Sequence, residues 1–172
     1  DSVTHFHSPM LDCVVTFFCF ISGVNFTLLY ASVAKLKFKN LMKNAEFRFY
    51  LFSVFASTAA VMLALIFKNG YGIEHAFRNS LFEVVTALTT TGFANDNAGN
   101  WAHITWVVLK LCMFLGANSG STSGGFKSIR SVMVIKIIKN EFRQMLHPNA
   151  IVPLKLDSIN VPMQKRVTLL AF

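Results

Sequence analysis

Charged residues are scarce in this sequence, and acidic ones most of all. Of its 172 residues only 14% are charged, with 8 Asp and Glu against 16 Lys and Arg, while 53% are hydrophobic. Residues 13–34 and 49–67 contain no charged side chain. As helices these runs are each ~30 Å long, the thickness of the hydrocarbon core of a bilayer. This composition excludes an ordinary soluble domain and indicates an integral membrane protein; the alternative is a pair of buried helices in a large soluble core.

Sulfur and imidazole ligands are also few. Cys13, Cys19 and Cys112 are odd in number and lie in apolar runs, so we interpret them as small hydrophobic residues and not as a disulfide or metal set. The five histidines lack the spacing of metal ligands. The first residues, DSVTHFHSP, lack both an initiator methionine and the basic start of a signal peptide. We therefore expect no cofactor in this chain, and we expect the sequence to be the interior of a longer one.

Three membrane spans are predicted: Ser8 to about Val33, Phe47 to Phe67, and about Trp101 through a glycine-rich stretch to Lys139. The segment 35–48 between the first two spans is strongly basic, which by the positive-inside rule places it in the cytoplasm. The segment 68–101 is then outside, and the basic tail of the third span is again cytoplasmic. The sequence thus predicts a multi-pass protein of the plasma membrane.

An apolar segment between the second and third spans is too short to cross the membrane. Ser80 and Glu83 fit the capping-box pattern, which predicts a helix from Ser80 to about Leu88. Such a helix is only ~14 Å long, about half a bilayer, so the chain must enter from outside and return. Irregular backbone at that depth is tolerated only where it is buried in protein or lines a water-filled path. This order of parts predicts a re-entrant pore loop.

The returning residues of that loop are suited to bind a cation. A dehydrated potassium ion is bound by several oxygens, and an extended chain can supply them from backbone carbonyls. The glycine permits backbone angles that other residues resist, and the threonine hydroxyls can support the segment or add ligands. The C-terminal end of the preceding half-helix also favours a cation. We expect a potassium filter at Thr89, Thr90, Thr91, Gly92 and Phe93, with potassium bound at Thr89, Thr90, Thr91 and Gly92.

The glycine-rich stretch GANSGSTSGGFKS has two interpretations. It nearly forms the phosphate-binding P-loop pattern, but Phe126 separates Gly125 from Lys127 and no acidic magnesium-binding strand follows. The second interpretation is a break in the third span, in which serine hydroxyls satisfy the freed backbone groups. A movable break below a filter can close it, whereas a fixed kink only packs closely against its neighbours. We expect a gating loop of Gly116, Ala117, Asn118, Ser119, Gly120, Ser121, Thr122, Ser123, Gly124, Gly125, Phe126 and Lys127.

Three motifs together resemble the Trk/Ktr/HKT family of potassium transporters, most closely its bacterial TrkH type. They are VTALTTTGF, GANSGSTSGGFKSIR and the basic ending EFRQMLHPNAIVPLKL, and the resemblance extends over essentially the whole chain. The family implies an all-α integral membrane protein in which four non-identical repeats of helix, re-entrant pore loop and broken inner helix surround one pore. The resemblance implies potassium uptake across the bacterial inner membrane through a carbonyl filter, gated by the glycine-rich loop.

The resemblance also implies a division of the chain and a set of partners. Residues 1–46 would hold the last helix of the preceding repeat and the cytoplasmic basic loop, 47–148 one complete repeat, and 149–172 the connection to the next. The implied partners are membrane lipids, the remaining repeats of the same transporter, a second copy in a homodimer, and a TrkA-like cytosolic ring that binds nucleotide; nucleic acid is not among them. Lys136, Lys139 and Arg143 share a helical face that can meet lipid headgroups or dock this ring.

Two charged residues and two other functions remain to be weighed. Lys110 lies near the middle of the third span, and because a fixed positive charge would oppose potassium, we expect it to face away from the pore and to pair with an acid or reach the interface. Glu83 is expected first as the capping partner of Ser80 and second as a cation-attracting charge in the outer mouth. The competing functions are a non-transporting membrane anchor or assembly module and, after it, a membrane-bound ATPase; we expect no enzyme activity.

Overall fold

The computed structural model describes residues 3–6, 8–34, 39–96, 98–146, 155–156 and 159–160. The regular secondary structure of this part of the chain is helical except for a hairpin in which β1, Lys155–Leu156, pairs antiparallel with β2, Ile159–Asn160. Residues 35–38 of the basic loop and most of the predicted connection 149–172 lie outside the described residues. Single 3-10 turns occupy Thr4–Phe6 and Ala98–Asn100. The α-helices are α1 Pro9–Ser22, α2 Phe26–Ala34, α3 Lys39–Lys43, α4 Ala45–Asn69, α5 Ile73–Leu88, α6 His103–Leu115 and α7 Ser128–Leu146.

Helix α4 agrees with the second predicted span. Among the described residues it is the one helix long and apolar enough to cross a bilayer by itself. Asn44 is its N-cap, and the Asn44 side chain accepts hydrogen bonds from the backbone N–H groups of Glu46 and Phe47 at 2.9 and 3.1 Å. Gly70, in the left-handed conformation, is its C-cap. Phe52, Phe55 and Phe67 of α4 are exposed, which a buried helix of a soluble core would not allow.

The first predicted span is not one continuous helix. Helices α1 and α2 meet at a bend of 100° around residues 23–25. A Cβ atom on Gly23 would lie 2.5 Å from the Tyr50 hydroxyl and 2.9 Å from Cγ2 of Thr89, so this position fits only glycine against its neighbours. Asn25 caps α2 by accepting from the N–H groups of Thr27 and Leu28. The bend thus combines close packing at Gly23 with an N-cap at Asn25.

Helix α5 begins earlier than the capping-box pattern predicts. It starts at Ile73, after Gly72, and Ser80 lies fully buried in its middle, where the Ser80 hydroxyl donates to the carbonyl of Phe77 at 3.0 Å. The prediction of an N-cap at Ser80 with Glu83 as its partner is therefore wrong. At 16 residues, α5 is ~24 Å long, still shorter than the ~30 Å hydrocarbon core.

The core of the described chain forms around α5, which packs against α1, α4 and α6. Its centre contains Tyr50, Leu65, Val85 and Leu88, all almost completely buried, with Cys112 contributed by α6. Cys19 of α1 is also buried in this cluster, as a small hydrophobic residue. Since α5 is enclosed on several sides, its C-terminal end, through Leu88 and Thr89, is held within the protein.

Candidate functional site

The predicted filter segment, Thr89 to Phe93, leaves the end of α5 as irregular chain. Thr89 is buried, whereas the four residues after it are less enclosed. Thr90 and Gly92 have φ angles of 54° and 76°. In the described chain the non-glycine residues in this left-handed region are Thr90 and Lys127, and each such conformation costs about 1 to 2 kcal/mol. One lies in the predicted filter and the other at the end of the predicted gating loop, so both candidate sites contain backbone strain.

Threonine side chains and backbone N–H groups attach this segment to the end of α5. Thr86 donates from Oγ1 to the carbonyl of Phe93 at 3.1 Å, and its own carbonyl accepts from the N–H of Thr91 at 2.9 Å. The hydroxyls of Thr89 and Thr91 are 2.7 Å apart, and Thr89 Oγ1 also donates to the carbonyl of Val85. The hydroxyls therefore support the segment from behind, as the sequence predicts.

The carbonyl oxygens of the segment are left without donors. In the part of the chain that the structure describes, no hydrogen bond is donated to the backbone oxygens of Thr89, Thr90, Thr91 and Gly92. Thr89 is buried, whereas Thr90, Thr91 and Gly92 are exposed within the described chain, so their carbonyl oxygens are open to an outside ligand. A run of consecutive unpaired carbonyl oxygens, placed at the C-terminal end of a helix, is chemically suited to coordinate a cation.

A polar network holds the chain after the filter segment. Asp96 Oδ2 accepts hydrogen bonds from Tyr71, Asn79 and Trp101 at 3.3, 3.0 and 3.3 Å. Burial, and then the negative charge of Asp96, raises the pKa of Tyr71, so the Tyr71 hydroxyl stays protonated and donates. Asp96 lies in the segment 68–101, which the sequence predicts to be outside, but no pattern in the sequence indicated this network.

Glu83 has a role in this network that the sequence did not indicate. Its carboxylate is buried and accepts a hydrogen bond of 3.2 Å from the backbone N–H of Asn95. It therefore links α5 to the segment that leaves the filter, instead of capping the helix. Glu83 also lines the cavity that Thr90 and Gly92 line, so its expected role as a cation-attracting charge stays a prediction. Asn95 extends the network to α1, because its amide nitrogen lies 3.4 Å from Oδ2 of Asp12, which is paired with Arg78.

The predicted gating loop, Gly116 to Lys127, separates α6 from α7 and folds back on itself. Gly116, Gly120 and Gly125 have φ angles of 65°, 73° and 83°, which favour glycine. A Cβ atom on Gly116 would lie 2.5 Å from the carbonyl oxygen of Gly124, and one on Gly125 would lie 3.0 Å from Cα of Gly116. The two ends of the loop thus approach each other at glycine positions, and Phe126 stacks on Phe114.

Serine hydroxyls satisfy backbone groups within the loop. Ser123 Oγ accepts from the N–H of Ala117 at 3.2 Å, and Ser121 Oγ donates to the carbonyl of Asn118 at 2.6 Å. Ser128 Oγ donates to the carbonyl of Gly116 at 3.4 Å, and Lys127 Nζ donates to the carbonyl of Ser123. These bonds give the loop a defined conformation although it interrupts a helix.

The structure brings the loop and the filter segment into direct contact. The N–H of Gly124 donates to Thr90 Oγ1 at 2.8 Å. The loop also contacts the bend between α1 and α2, where the N–H of Asn118 donates to the carbonyl of Gly23 at 3.1 Å. A third contact joins the N–H of Ser119 to Oε1 of Glu46. No pattern in the sequence indicated the last two contacts.

Lys110 does not face away from the filter segment. With Thr90 and Gly92 it lines a cavity of about 320 Å³ between the end of α5 and α6. Within the described residues Lys110 forms no ion pair. Its side chain is exposed within the described chain.

The basic residues of α7 lie away from this centre. Lys139 and Arg143 are exposed and Lys136 is half-buried. Their spacing of three and four residues places them on one face of α7. This face is therefore accessible for a contact outside the described chain.

Comparisons with known proteins agree over nearly the whole chain. The profile of one family, TrkH, described as a cation transport protein, matches residues 1–169. The Trk system potassium uptake protein TrkH of Escherichia coli (strain K12) is 31% identical over 162 residues, which are 94% of this chain and 34% of that protein. The Trk system potassium uptake protein TrkG of the same strain is 30% identical over 161 residues, 94% of this chain and 32% of that one.

A solved structure has the same fold. The crystal structure of the potassium transporter TrkH from Vibrio parahaemolyticus matches with a TM-score of 0.91 at 28% identity, and the match covers 98% of this chain and 36% of that chain. This chain therefore spans about a third of the length of the relatives it matches.

Proposed function

Because the chain belongs to the TrkH family of cation transport proteins, we propose that it supplies one pore repeat of a potassium uptake transporter. Membership confirms the family resemblance, the all-α membrane fold and the multi-pass location in the bacterial inner membrane predicted from the sequence, and it places the chain among transporters and not enzymes. In the proposed division, residues 1–46 end the preceding repeat, 47–148 form the complete repeat, and 149–172 lead to the next.

The observation that carries this proposal is the row of unpaired carbonyl oxygens from Thr89 to Gly92. A potassium ion that loses its hydration shell is stabilised by oxygens held at fixed positions. The threonine hydroxyls and the N–H of Thr91 fix this segment against α5, so the oxygens need no hydrogen bonds of their own to stay in place. Phe93, whose carbonyl is bound by Thr86, ends the filter.

The glycine-rich loop is proposed as the gate of this filter. The hydrogen bond from Gly124 to Thr90 places the loop directly against the filter segment. Its left-handed glycines allow it to change conformation at low cost, while its serine hydroxyls provide bonds that can be exchanged. The contact between the loop and the filter segment supports a gate that closes at Thr90.

The exposed surfaces are proposed as contacts with the rest of the transporter and its partners. The apolar side chains that α4 and α6 expose, such as Phe55, Phe67 and Phe114, would meet lipid or the remaining repeats. We propose that a TrkA-like nucleotide-binding ring docks at the basic face of Lys136, Lys139 and Arg143. We also propose that the transporter forms a homodimer with a second copy of itself. Exposure of Lys139 and Arg143 supports a docking role for this face.

Shortening the loop tests the gate. In the full-length transporter, deletion within residues 119–123 should raise potassium flux per inserted molecule and weaken control by a cytosolic partner, because the obstacle is removed while the filter is unchanged. A fixed kink would respond differently, with lower surface expression and flux falling in proportion. Flux per inserted molecule equal to or below that of the unmodified protein, with regulation preserved, would contradict the gate.

A further inference from the structure

Glu46 is an acidic residue buried where α4 begins. Its side chain is 5% exposed, although carboxylates are almost never this buried without partners. It lies in the first turn of α4, two residues after the N-cap Asn44, where the positive end of the helix dipole stabilises a negative charge. Glu46 lies next to the basic segment, at the end of α4 that is opposite to the Asp96 network.

One partner of this carboxylate is the backbone of the gating loop. The N–H of Ser119 donates to Oε1 of Glu46, across 73 positions of sequence. Hydrogen bonds from a backbone N–H to an ionised carboxylate are roughly twice as strong as those between neutral groups. Ser119 lies between Asn118, whose N–H donates to the carbonyl of Gly23, and Gly120, whose carbonyl accepts from the N–H of Phe26, so this bond adds a side-chain acceptor from α4 to a part of the loop that also contacts the bend.

The loop is therefore attached at separate points to separate elements. Gly124 is bound to Thr90 of the filter segment, Asn118 to Gly23 of the bend, and Ser119 to Glu46 of α4. Of these three acceptors, Glu46 is the one whose acceptor group is a carboxyl group, which can ionise. It is also the acceptor supplied by a full-length membrane helix, which gives the attachment a fixed base.

We propose that Glu46 is a positioning residue that holds the glycine-rich loop in its closed conformation against the filter. This role rests on the proposed gating function of the loop. Loss of the carboxylate releases Ser119, and the loop then leaves Thr90 more often. The open state becomes more populated, while the chemistry of the filter does not change.

Glu46→Gln and Glu46→Ala in the full-length transporter test this role. The glutamine keeps the size and one acceptor oxygen but not the charge, and we expect flux per inserted molecule to rise about threefold. The alanine removes the acceptor, and we expect a rise of about tenfold, which corresponds to about 1.4 kcal/mol in the closed-to-open equilibrium. Glu141→Gln is the matched control, because Glu141 is an exposed acid on α7, and its flux should be unchanged. The potassium-to-sodium flux ratio should stay constant in all variants.

A double-mutant cycle distinguishes the proposed bond between Glu46 and Ser119, which we call the latch, from a general contribution of Glu46 to stability. In a transporter whose loop is shortened to lack Ser119, Glu46→Gln should cause no further rise in flux, since its partner is absent. Equal effects of Glu46→Gln with and without Ser119 would overturn the proposal, as would a lower flux that follows lower expression. If shortening the loop raises flux but Glu46→Gln and Glu46→Ala do not, the gate stands and the latch is wrong. If neither change raises flux, the gate itself is wrong, and the latch with it.

Discussion

The backbone N–H of Gly124 donates a hydrogen bond of 2.8 Å to the side-chain hydroxyl of Thr90. The two residues belong to segments that the sequence assigns to different tasks, ion selection and gating. Thr90 also has a φ angle of 54°, a strained value for a β-branched residue. The contact thus joins a strained filter residue to a loop that is rich in glycine, and it gives the proposed gate a specific point of closure.

Replacing Thr90 by valine should open the gate more often. Valine keeps the branched shape but lacks the hydroxyl that accepts from Gly124, and one neutral hydrogen bond contributes about 1 kcal/mol, so we expect about a fivefold rise in potassium flux per inserted molecule. Thr90→Ser retains the hydroxyl and is the control, with flux close to that of the unmodified protein. Equal flux in the two variants would show that the bond does not restrain the loop.

The parts that could be predicted from the sequence are those with a cause local to their own residues. Helix α4 could be predicted from the uncharged run 49–67, because a run of this length without charge is typical of a helix in the hydrocarbon core of a bilayer. The break after Leu115 follows from the glycines, which are poor helix formers at any position. The family resemblance implied that this break acts together with the filter, and the hydrogen bond between Gly124 and Thr90 agrees with that expectation.

The parts that could not be predicted have causes distant in sequence. The glycine at the bend, Gly23, is required by the close approach of Tyr50 and Thr89, residues that no window around Gly23 contains. Ser80 and Glu83 fit a helix start locally, but α5 continues through them because Ser80 is buried and Glu83 binds Asn95. Tertiary contacts of this kind override a capping pattern.

Gly92→Ser should lower the selectivity for potassium without unfolding the protein. Gly92 has a φ angle of 76°, and a Cβ atom added to it would meet nothing within 4 Å, so a side chain fits and the cost of about 1 to 2 kcal/mol is in the backbone. We expect the carbonyls of the segment to shift and the potassium-to-sodium flux ratio to fall. Gly70→Ser is a matched control, since Gly70 has a φ angle of 69° and equal space but ends α4. An equal fall in both variants would contradict a filter at Gly92.

Cysteine labelling from each side of the membrane should confirm the predicted orientation. Glu74 and Met145 are exposed, in the first turn of α5 and the last turn of α7. In a Cys13→Ser background, which removes the exposed native thiol, we expect Glu74→Cys to react from outside and Met145→Cys only from the cytoplasm. Asp96 is unsuitable for this test because it accepts three hydrogen bonds. Reaction of Glu74→Cys from the cytoplasm alone would reverse the topology.

Alanine at Gly125 and alanine at Gly124 should have different effects, although the two glycines are adjacent. Gly125 has a φ angle of 83°, and its Cβ would lie 2.9 Å from the carbonyl oxygen of Met113, so Gly125→Ala is incompatible with the loop as it stands. Gly124 lacks a left-handed φ, and its Cβ would lie 3.4 Å from Thr90 Oγ1, an ordinary contact. We expect Gly125→Ala to raise flux per inserted molecule at least fivefold and to weaken regulation, because the left-handed conformation alone costs about 1 to 2 kcal/mol. Gly124→Ala should change flux less than twofold, and similar flux in the two variants would mean that the backbone at Gly125 does not hold the gate closed.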